Sequence, residues 1–557
     1  MTGARRPGWG RLAAATLAVA LVANACSDGE TTPPQTPSPT AAPSPSPTTS
    51  RQGGTVRIGI AEPSTIDPGF VQGEAGQLVV DALFDSLVAL DRDLQPVPAA
   101  ASAWQMNEDA TSWTFTLADA TFHDGEAVTA EDFVRAFNRI VASAGGDTPA
   151  VAAFQLEAVA GYEEAVADGD PLAGVAANDD GTLTINLSHA FPDFLTVLAD
   201  PALAPVPANV NDDEFAASPV GNGPFMMREP WQHGQFVRVV RFEEHPTPAW
   251  LDEVVFTIYD DDPTLSRQWE DLLGGQLDVG NVPAERIEEA RTEFGSSSDG
   301  FTGPGYLGGI TGTIYYFGFN VTVRPFNNPL VREAISLVMD RETIATGIMQ
   351  DSRAPATGIV PSTIPGSSAD GCGFCAFDPE RARTLLDEAG GPALFDGPLE
   401  IVHNQGSTHE AIANAVAESI TEHLGIETTV TSYGLDEYVG QLRETDIGLF
   451  RFGWTASHPS AGSYLYPLFH QSRSGLDNLS RFENEPISNA LDAARATIDN
   501  EARNDAWRAV EREILERAPI APLLFYHQTM AVRQRVHDFH RGPLGNVDFT
   551  AIWVEEG

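Results

Sequence analysis

At 557 residues the chain exceeds what one hydrophobic core usually organises, so two or three domains are expected, and 42 % hydrophobic residues support globular folding over disorder. The formal charge is −46, from 78 acidic against 32 basic side chains, and every basic one is arginine. The lack of lysine excludes a P-loop lysine, a Schiff-base lysine and a lysine-rich nucleic-acid surface, while the acidic excess bears on solubility and repulsion, not on fold or on a cationic ligand.

Arg5, Arg6 and Arg11 precede an apolar run from Leu12 to Val22 that is too short to span a bilayer stably, the pattern of an export signal over residues 1–26. Cys26, in Leu21-Val22-Ala23-Asn24-Ala25-Cys26, looks like a bacterial lipoprotein cleavage site, with Ala23 where that motif usually has leucine. Lipidation of Cys26 would anchor the chain to the outer face of the cell membrane. Simple secretion and an uncleaved anchor are the alternatives. Residues 27–52 are rich in Pro, Ser and Thr and read as a disordered tether. A folded body held off a membrane by such a stalk suits a surface receptor or a surface enzyme.

Thr55 to Ile60 reads as the first strand, and Gly76 to Asp85 as a helix with Leu78, Val79, Ala82 and Leu83 at helical spacing. An excursion follows over residues 91–217. Within it Trp113, Phe115 and Leu117 alternate with threonines as a strand. His123-Asp124-Gly125-Glu126 turns the chain, and Thr129 with Asp132 caps a helix whose apolar face is Phe133, Ala136, Phe137 and Ile140. Leu183 to Leu187 is a further strand. Pro219-Val220-Gly221-Asn222-Gly223-Pro224-Phe225 marks a tight backbone crossing on the return, with no helix behind it to make a phosphate cradle. Phe236 to Phe242 and Val254 to Ile258 are strands. Asp260-Asp261-Asp262 is expected to be a solvated turn, since Leu265 occupies the glycine position an EF-hand needs.

Farther on, Tyr315 to Asn320 is apolar, and Asn328-Pro329 opens a helix with Val331, Ala334, Ile335 and Val338 inward. Cys372 and Cys375 form a C-x-x-C pair for which a disulfide is expected in an exported chain, a thiol oxidoreductase being the sharper alternative. A zinc site would need a second pair of ligands. Asp378-Pro379 starts a helix ending on Gly390-Gly391. Pro398 to His403, His409 to Leu424 and Ile426 to Ser432 make a β-α-β unit and call for parallel pairing. His409-Glu410 begins a zincin-like motif, but Ala413 occupies the second histidine position. Trp507, Val510 and Ile514 lie on a long helix before Ala518 to Leu523. No metal and no cofactor are expected.

The order W-x-F-x-L-(x)4-F-H-D-G-E-x-V-T-A-E-D-F from Trp113 to Phe133 resembles the signature of the family 5 extracellular solute-binding proteins of bacterial peptide and nickel importers. So do the G-x-G-P-F string at Gly221, the segment Leu272 to Val279, the string N-(x)4-P-F-x-N-x-x-V-R-x-A-I-(x)4-D-R from Asn320, and the helix after Asp378. The resemblance spans roughly Gly53 to Trp553. It implies an α/β, two-lobed periplasmic-binding-protein-like fold of the class C type, with mixed sheets, a hinge and an extra small domain. The expected division is lobe I at 53–90, 218–310 and 525–557, the small domain at 91–217 and lobe II at 311–524. The implied function is capture of an oligopeptide or similar solute and its delivery to an ATP-driven permease, by a monomer that performs no chemistry. A sensor or chaperone of the same fold and a secreted hydrolase are the alternatives.

Arg451-Phe452-Gly453-Trp454-Thr455-Ala456-Ser457-His458 follows an apolar strand, Ile447 to Phe450, and resembles the family's G-W-x-A-D-Y segment, where the backbone pairs with an extended peptide. The resemblance implicates Gly453, Trp454, Thr455, Ser457 and His458 in ligand binding. Trp454 could on physical grounds stand in the core or in the cleft, and the resemblance assigns it to the cleft. Ser457 replaces the aspartate that receives a peptide's amino group in the relatives, so either another acidic residue serves or the solute lacks an amine there. Tyr315, Tyr316 and Glu74 are further ligand-binding candidates, with core or hinge packing the alternative for the tyrosines and plain solvation for Glu74.

Overall fold

The computed structural model describes residues 53–555 except 147, 148, 209, 211, 261, 263, 369 and 370. The export signal, Cys26 and the tether lie outside the described residues. Alternating apolar side chains build the first strand, β1 (Thr55–Ile60), with Val56 and Ile58 fully buried. Helix α1 (Gly73–Leu83) follows, and the chain then enters a small sheet body. There β2 (Ala101–Met106), β3 (Ser112–Leu117), β4 (Val175–Ala177) and β5 (Thr182–Asn186) pair antiparallel in the order β2-β3-β5-β4, with α2 (Ala130–Ser143) between β3 and β4. At the start of α2, Asp132 accepts from both the amide and the hydroxyl of Thr129 at 2.8 Å.

Returning, the chain adds β6 (Phe225–Met227), β7 (Phe236–Arg241), β8 (Glu253–Ile258), helix α3 (Ser266–Gly274), β9 (Val279–Asn281) and β10 (Gly305–Leu307). It crosses at Gly308-Gly309 into a second lobe. That lobe runs β11 (Ile310–Phe319), α4 (Pro329–Leu337), β12 (Arg353–Pro355), α5 (Pro379–Ala389), β13 (Leu399–Asn404), α6 (Ser407–Leu424), β14 (Thr428–Tyr433), β15 (Leu449–Thr455), α7 (Asn500–Leu515) and β16 (Ile520–His527). After a second crossing, β17 (Met530–Val532) rejoins the first sheet. The two crossings touch, the amide of Gln528 donating to Gly309 O at 2.8 Å.

The first sheet has the order β10-β17-β9-β1-β8-β7-β6 and the second β12-β16-β11-β15-β13-β14. Both are mixed. β1 is parallel to β8 and β9, while β13 is parallel to β14 and β15 as the β-α-β pattern requires. One contiguous core joins the first lobe to the small sheet body, running from Val56 through Phe133 and Leu183 to Val554. The second lobe has a separate core around Phe317, Ile335, Ile401 and Trp507. Two bodies therefore share one interior and the third has its own, which leaves the two crossings as the covalent joint between them.

The junction of the first lobe with the small sheet body rests on two motifs almost a hundred residues apart. A Cβ on Gly221 would stand 2.0 Å from Leu83 O, and one on Gly223 2.5 Å from the Leu83 carbonyl carbon and from Phe84 N, so only glycine lets the strands touch. Gly223 N donates to Leu83 O at 2.9 Å, and the Asn222 amide brackets Asp85 through its backbone N and O at 3.0 Å each. His123 closes the junction. Its Nδ1 accepts from Gly221 N and its Nε2 donates to Gly223 O, both at 3.1 Å. The partners fix the tautomer, because an amide only donates and a carbonyl only accepts.

Several elements depart from expectation. Helix α1 begins at Gly73 and ends at Leu83, since Phe84 must extend to meet Gly223. Asp261 lies outside the described residues, and Asp262 is buried, accepting from the amides of Ser266, Arg267 and Gln268 at the start of α3; it is a helix cap and not part of a solvated turn. The strand expected at Ile447 to Phe450 instead continues through Thr455, which puts the family-like segment on the strand itself. Cys372 and Cys375 are joined as a disulfide ahead of α5. Among the described residues no helix is long and apolar enough to cross a membrane, and no group of His, Cys, Asp and Glu could hold a metal ion.

Burial holds His123 at about 4, against an ordinary imidazole value of 6.5. Unfolded chains therefore take up a proton that the folded chain refuses between those values, so stability present above pH 6.5 is lost as the pH falls toward 4. Urea unfolding should show the wild-type protein losing on the order of 3 kcal/mol more than His123→Gln over that interval. Equal losses in the two proteins would mean that the imidazole is not the titrating group.

Candidate ligand-binding cleft

A cavity of about 470 Å³ opens where the second lobe faces the other two bodies. Its second-lobe wall is the end of β15 and the turn beyond, Phe452 to Ser457. The opposite wall carries Gln77 from α1, Gln155 and Asp200 from the small sheet body, and Asn546 from the C-terminal segment. A neighbouring hollow of about 330 Å³ shares Gln155, Trp454 and Ser457 and reaches His458 and Tyr466. A third hollow of about 410 Å³ contains no second-lobe residue and lies beside the junction at Asp85.

Strand β15 is paired along one edge only for most of its length. It meets β11 over the full register from Thr313↔Thr455 to Phe319↔Leu449, but β13 only at Ile401↔Leu449 and Val402↔Phe450. The Tyr438 hydroxyl caps Arg451 O where the strands part; beyond it, from Gly453 to Thr455, the second edge is open, and Gly453, Trp454 and Thr455 line the cavity there. Open strand edges offer backbone donors and acceptors that pair with any extended chain. Trp454 is half-buried and its Nε1 donates to Ser463 O at 2.7 Å, which holds the indole as a partition between the two hollows.

Ser457 lines both hollows, with its Oγ 3.0 Å from His458 Nδ1. His458 itself is buried, edge-on to Phe191 of the small sheet body at 5.7 Å, and burial pushes it down to about 4, so it is neutral. Tyr315 and Tyr316 differ from the expectation of ligand contacts: each is 2 % exposed and packs in the second-lobe core. Glu74 also stands apart, in the first turn of α1, exposed and 3.4 Å from Arg541 outside the lining of either interlobe hollow.

Residues that the sequence reading passed over gather beside the open edge. Arg451 and Gly453 share a face of β15 by the two-residue period, and a Cβ on Gly453 would come within 3.6 Å of Arg451 Nη2. The Arg451 guanidinium lies 4.2 Å from the centre of the Tyr315 ring and bonds Asn404 Oδ1 at 2.9 Å. Arg353 lies 3.7 Å over Tyr526. Among the described residues neither arginine has a carboxylate within ion-pair distance, in a chain where acids outnumber bases more than twofold. His409, at the start of α6, packs on Tyr315 at 5.7 Å and is lowered to about 4 by burial first and then by the positive fields of Arg451, His403 and Arg353. The Tyr315 hydroxyl, His409 Nδ1 and Arg451 Nε are buried without hydrogen-bond partners, and α6 has no side-chain cap at Gly406. This corner is an electropositive pole suited to a carboxylate, set beside the open edge and outside the lining of both interlobe hollows. An arginine three residues before the tryptophan of a family-like strand was the available signal.

The second lobe also grips the small sheet body directly. Asp193 pairs with Arg503 at 2.6 Å and accepts from Ser460 Oγ at 2.7 Å, all with buried side chains, and Arg473 pairs with Glu157 at 3.0 Å.

Residues 95–475 match the family described as bacterial extracellular solute-binding proteins, family 5 Middle, more than half of the chain. The chain belongs to this family. Like other family 5 members it is a binding protein and not an enzyme. It is 29 % identical over 490 residues to the periplasmic murein peptide-binding protein MppA of Escherichia coli, covering 84 % of this chain and 86 % of that one. It is also 29 % identical over 491 residues to the probable deoxycholate-binding periplasmic protein YgiS of the same organism, covering 84 % and 86 %. Among solved structures, the unliganded open form of MppA superposes with a TM-score of 0.76 at 25 % identity, over 90 % of this chain and 98 % of that one. The two-lobed fold expected from the sequence is thus the observed one. The names of these relatives leave the solute of this family 5 protein open, because a murein peptide-binding protein and a probable deoxycholate-binding protein are equally identical to it.

Trp454→Ala should weaken solute binding at least tenfold while the protein stays folded, since the indole is half-exposed to the cleft and contributes only part of its area to the core. Calorimetric titration and a thermal melt on the same sample separate the two effects. An unchanged affinity would move the site away from β15.

Proposed function

We propose that the chain is the solute receptor of an ATP-driven importer, exported and held at the outer face of the cell membrane by lipid on Cys26, and that it captures an extended oligopeptide between its lobes. The observation carrying this reading is the open edge of β15 beside the unpaired Arg451. Backbone pairing along Gly453 to Thr455 is indifferent to side-chain identity, which suits a receptor for varied sequences. Arg451, with Arg353 and the start of α6, supplies the charge for the peptide's terminal carboxylate.

The lobe I, small-domain and lobe II segments expected from the sequence move in this reading as two bodies, the first lobe with the small sheet body against the second lobe. The paired crossings at Gly309 and Gln528 are the hinge. A solute that touches both sides favours the shut form and is surrendered when the permease favours the open one. The receptor acts as a monomer, and the low-complexity stalk gives it reach to the permease. Support comes from the export signal, from relatives named for peptide binding, and from a solved relative titled an ABC transporter-associated periplasmic binding protein in complex with a peptide.

Mass spectrometry of small molecules extracted from protein made in its own host should find peptides, chemically unaltered. Arg451→Gln should then cost ten- to a hundredfold in affinity for the recovered peptide with a free carboxylate and little for its C-terminal amide. A non-peptide solute, or equal losses for acid and amide, would overturn this assignment of the site.

A further inference from the structure

Among the described residues the large cavity has one charged wall residue, and it is acidic. Asp200 stands on the small sheet body opposite Gly453 to Ser457. Its Oδ1 accepts from Ala202 N at 2.9 Å and its Oδ2 from Gln155 Nε2 at 2.6 Å. Each oxygen thus keeps a lone pair, and among the described residues no guanidinium or imidazole lies within ion-pair distance of the carboxyl group. Gln155 lines the same cavity, and its own carbonyl oxygen, Oε1, is buried and accepts nothing. Two acceptor groups therefore meet at one wall, the carboxylate with one donor on each oxygen and the Gln155 Oε1 with none. Water-poor surroundings make that costly, and burial pushes the Asp200 carboxyl above its usual range. Asp81 lies behind it and is held at about 7 by burial, with Asp200 adding a repulsive share. A wall with a carboxylate that keeps spare lone pairs and an acceptor without a donor suits a cationic donor.

We propose that Asp200, together with Gln155 Oε1, receives a protonated amine of the bound solute, the α-ammonium of a peptide. The proposal rests on the peptide-receptor reading and deepens it by naming the end of the solute that each wall takes. An ammonium carries three donors and matches the two acceptors with one to spare for Ser457 or water. Because Asp200 belongs to the small sheet body and the open strand edge to the second lobe, the amine ties the guest to one side of the cleft while its backbone pairs with the other.

The test uses the purified mature protein and three synthetic libraries of tri- to pentapeptides: free amino termini without lysine or arginine, the same sequences N-acetylated, and the N-acetylated sequences with one lysine. Captured peptides are counted by mass spectrometry. The wild-type protein should retain the free-amine library at least tenfold over the plain acetylated one, and Asp200→Asn should abolish that preference while its melting temperature stays within a few degrees. Asp200→Ser, whose hydroxyl can still accept from Ala202, is the second variant should the asparagine protein fail to fold. Retention of the lysine library alone would assign the acidic wall to a basic side chain and overturn the α-ammonium assignment. Equal retention of free and acetylated peptides by the wild type, or an intact preference in both variants, would overturn the proposal and leave the receptor reading standing. Capture of none of the three libraries would instead defeat the peptide-receptor reading itself.

Discussion

The backbone crossing of Gly221 and Gly223 over Leu83 is the constraint on which the architecture depends. It ends α1, so that Gln77 and Asp81 point from a helix of fixed length, and it pins the small sheet body through His123, whose neutral ring bridges Gly221 and Gly223. From that junction the small sheet body presents Gln155 and Asp200 to the cleft. A side chain at either glycine would separate the bodies, and the far wall of the cavity would move with them. The shared core from Val56 to Val554 then makes the first lobe and the small sheet body a single rigid piece.

The second lobe is related to that piece by two short crossings and a few contacts, and its contribution to the cleft is a strand left half-paired. Divergence of β13 from β15 after Phe450 is the local cause. The same divergence makes room for Arg451 and His409, whose side chains find aromatic faces but no carboxylate. Binding capacity in this fold therefore comes from incompleteness. Backbone groups along an open strand edge and a glutamine oxygen in the cavity wall lack partners within the chain, which is the signature expected of a site built for a polar guest.

Much of this was legible in the sequence because it is local. The capped start of α2 at Thr129, the glycine crossing, the Asn328 and Asp378 caps and the β-α-β unit around α6 all follow from residues within a few positions of one another. The segment Gly453 to Ser457, which lines the cavity, was readable only through its resemblance to the family's G-W-x-A-D-Y string. What escaped is the long-range part. Gln77, Gln155 and Asp200 come from three segments that meet only once the bodies assemble, and nothing in their neighbours marks them. Asp262 misled in the opposite direction, since three consecutive aspartates suggest solvent while the α3 amides draw the last one inside. Tyr315 and Tyr316 failed as ligand candidates because β11 is central in its sheet and is covered on both faces.

The ion pair between Asp193 and Arg503 has a bearing on how firmly the second lobe and the small sheet body grip each other. Each charge is shielded from solvent by the contact itself, and pulling the bodies apart must rehydrate both at once. Rehydration returns much of what the lost attraction costs, so the pair fixes where the bodies meet more than how tightly they hold, and a small bias can part them.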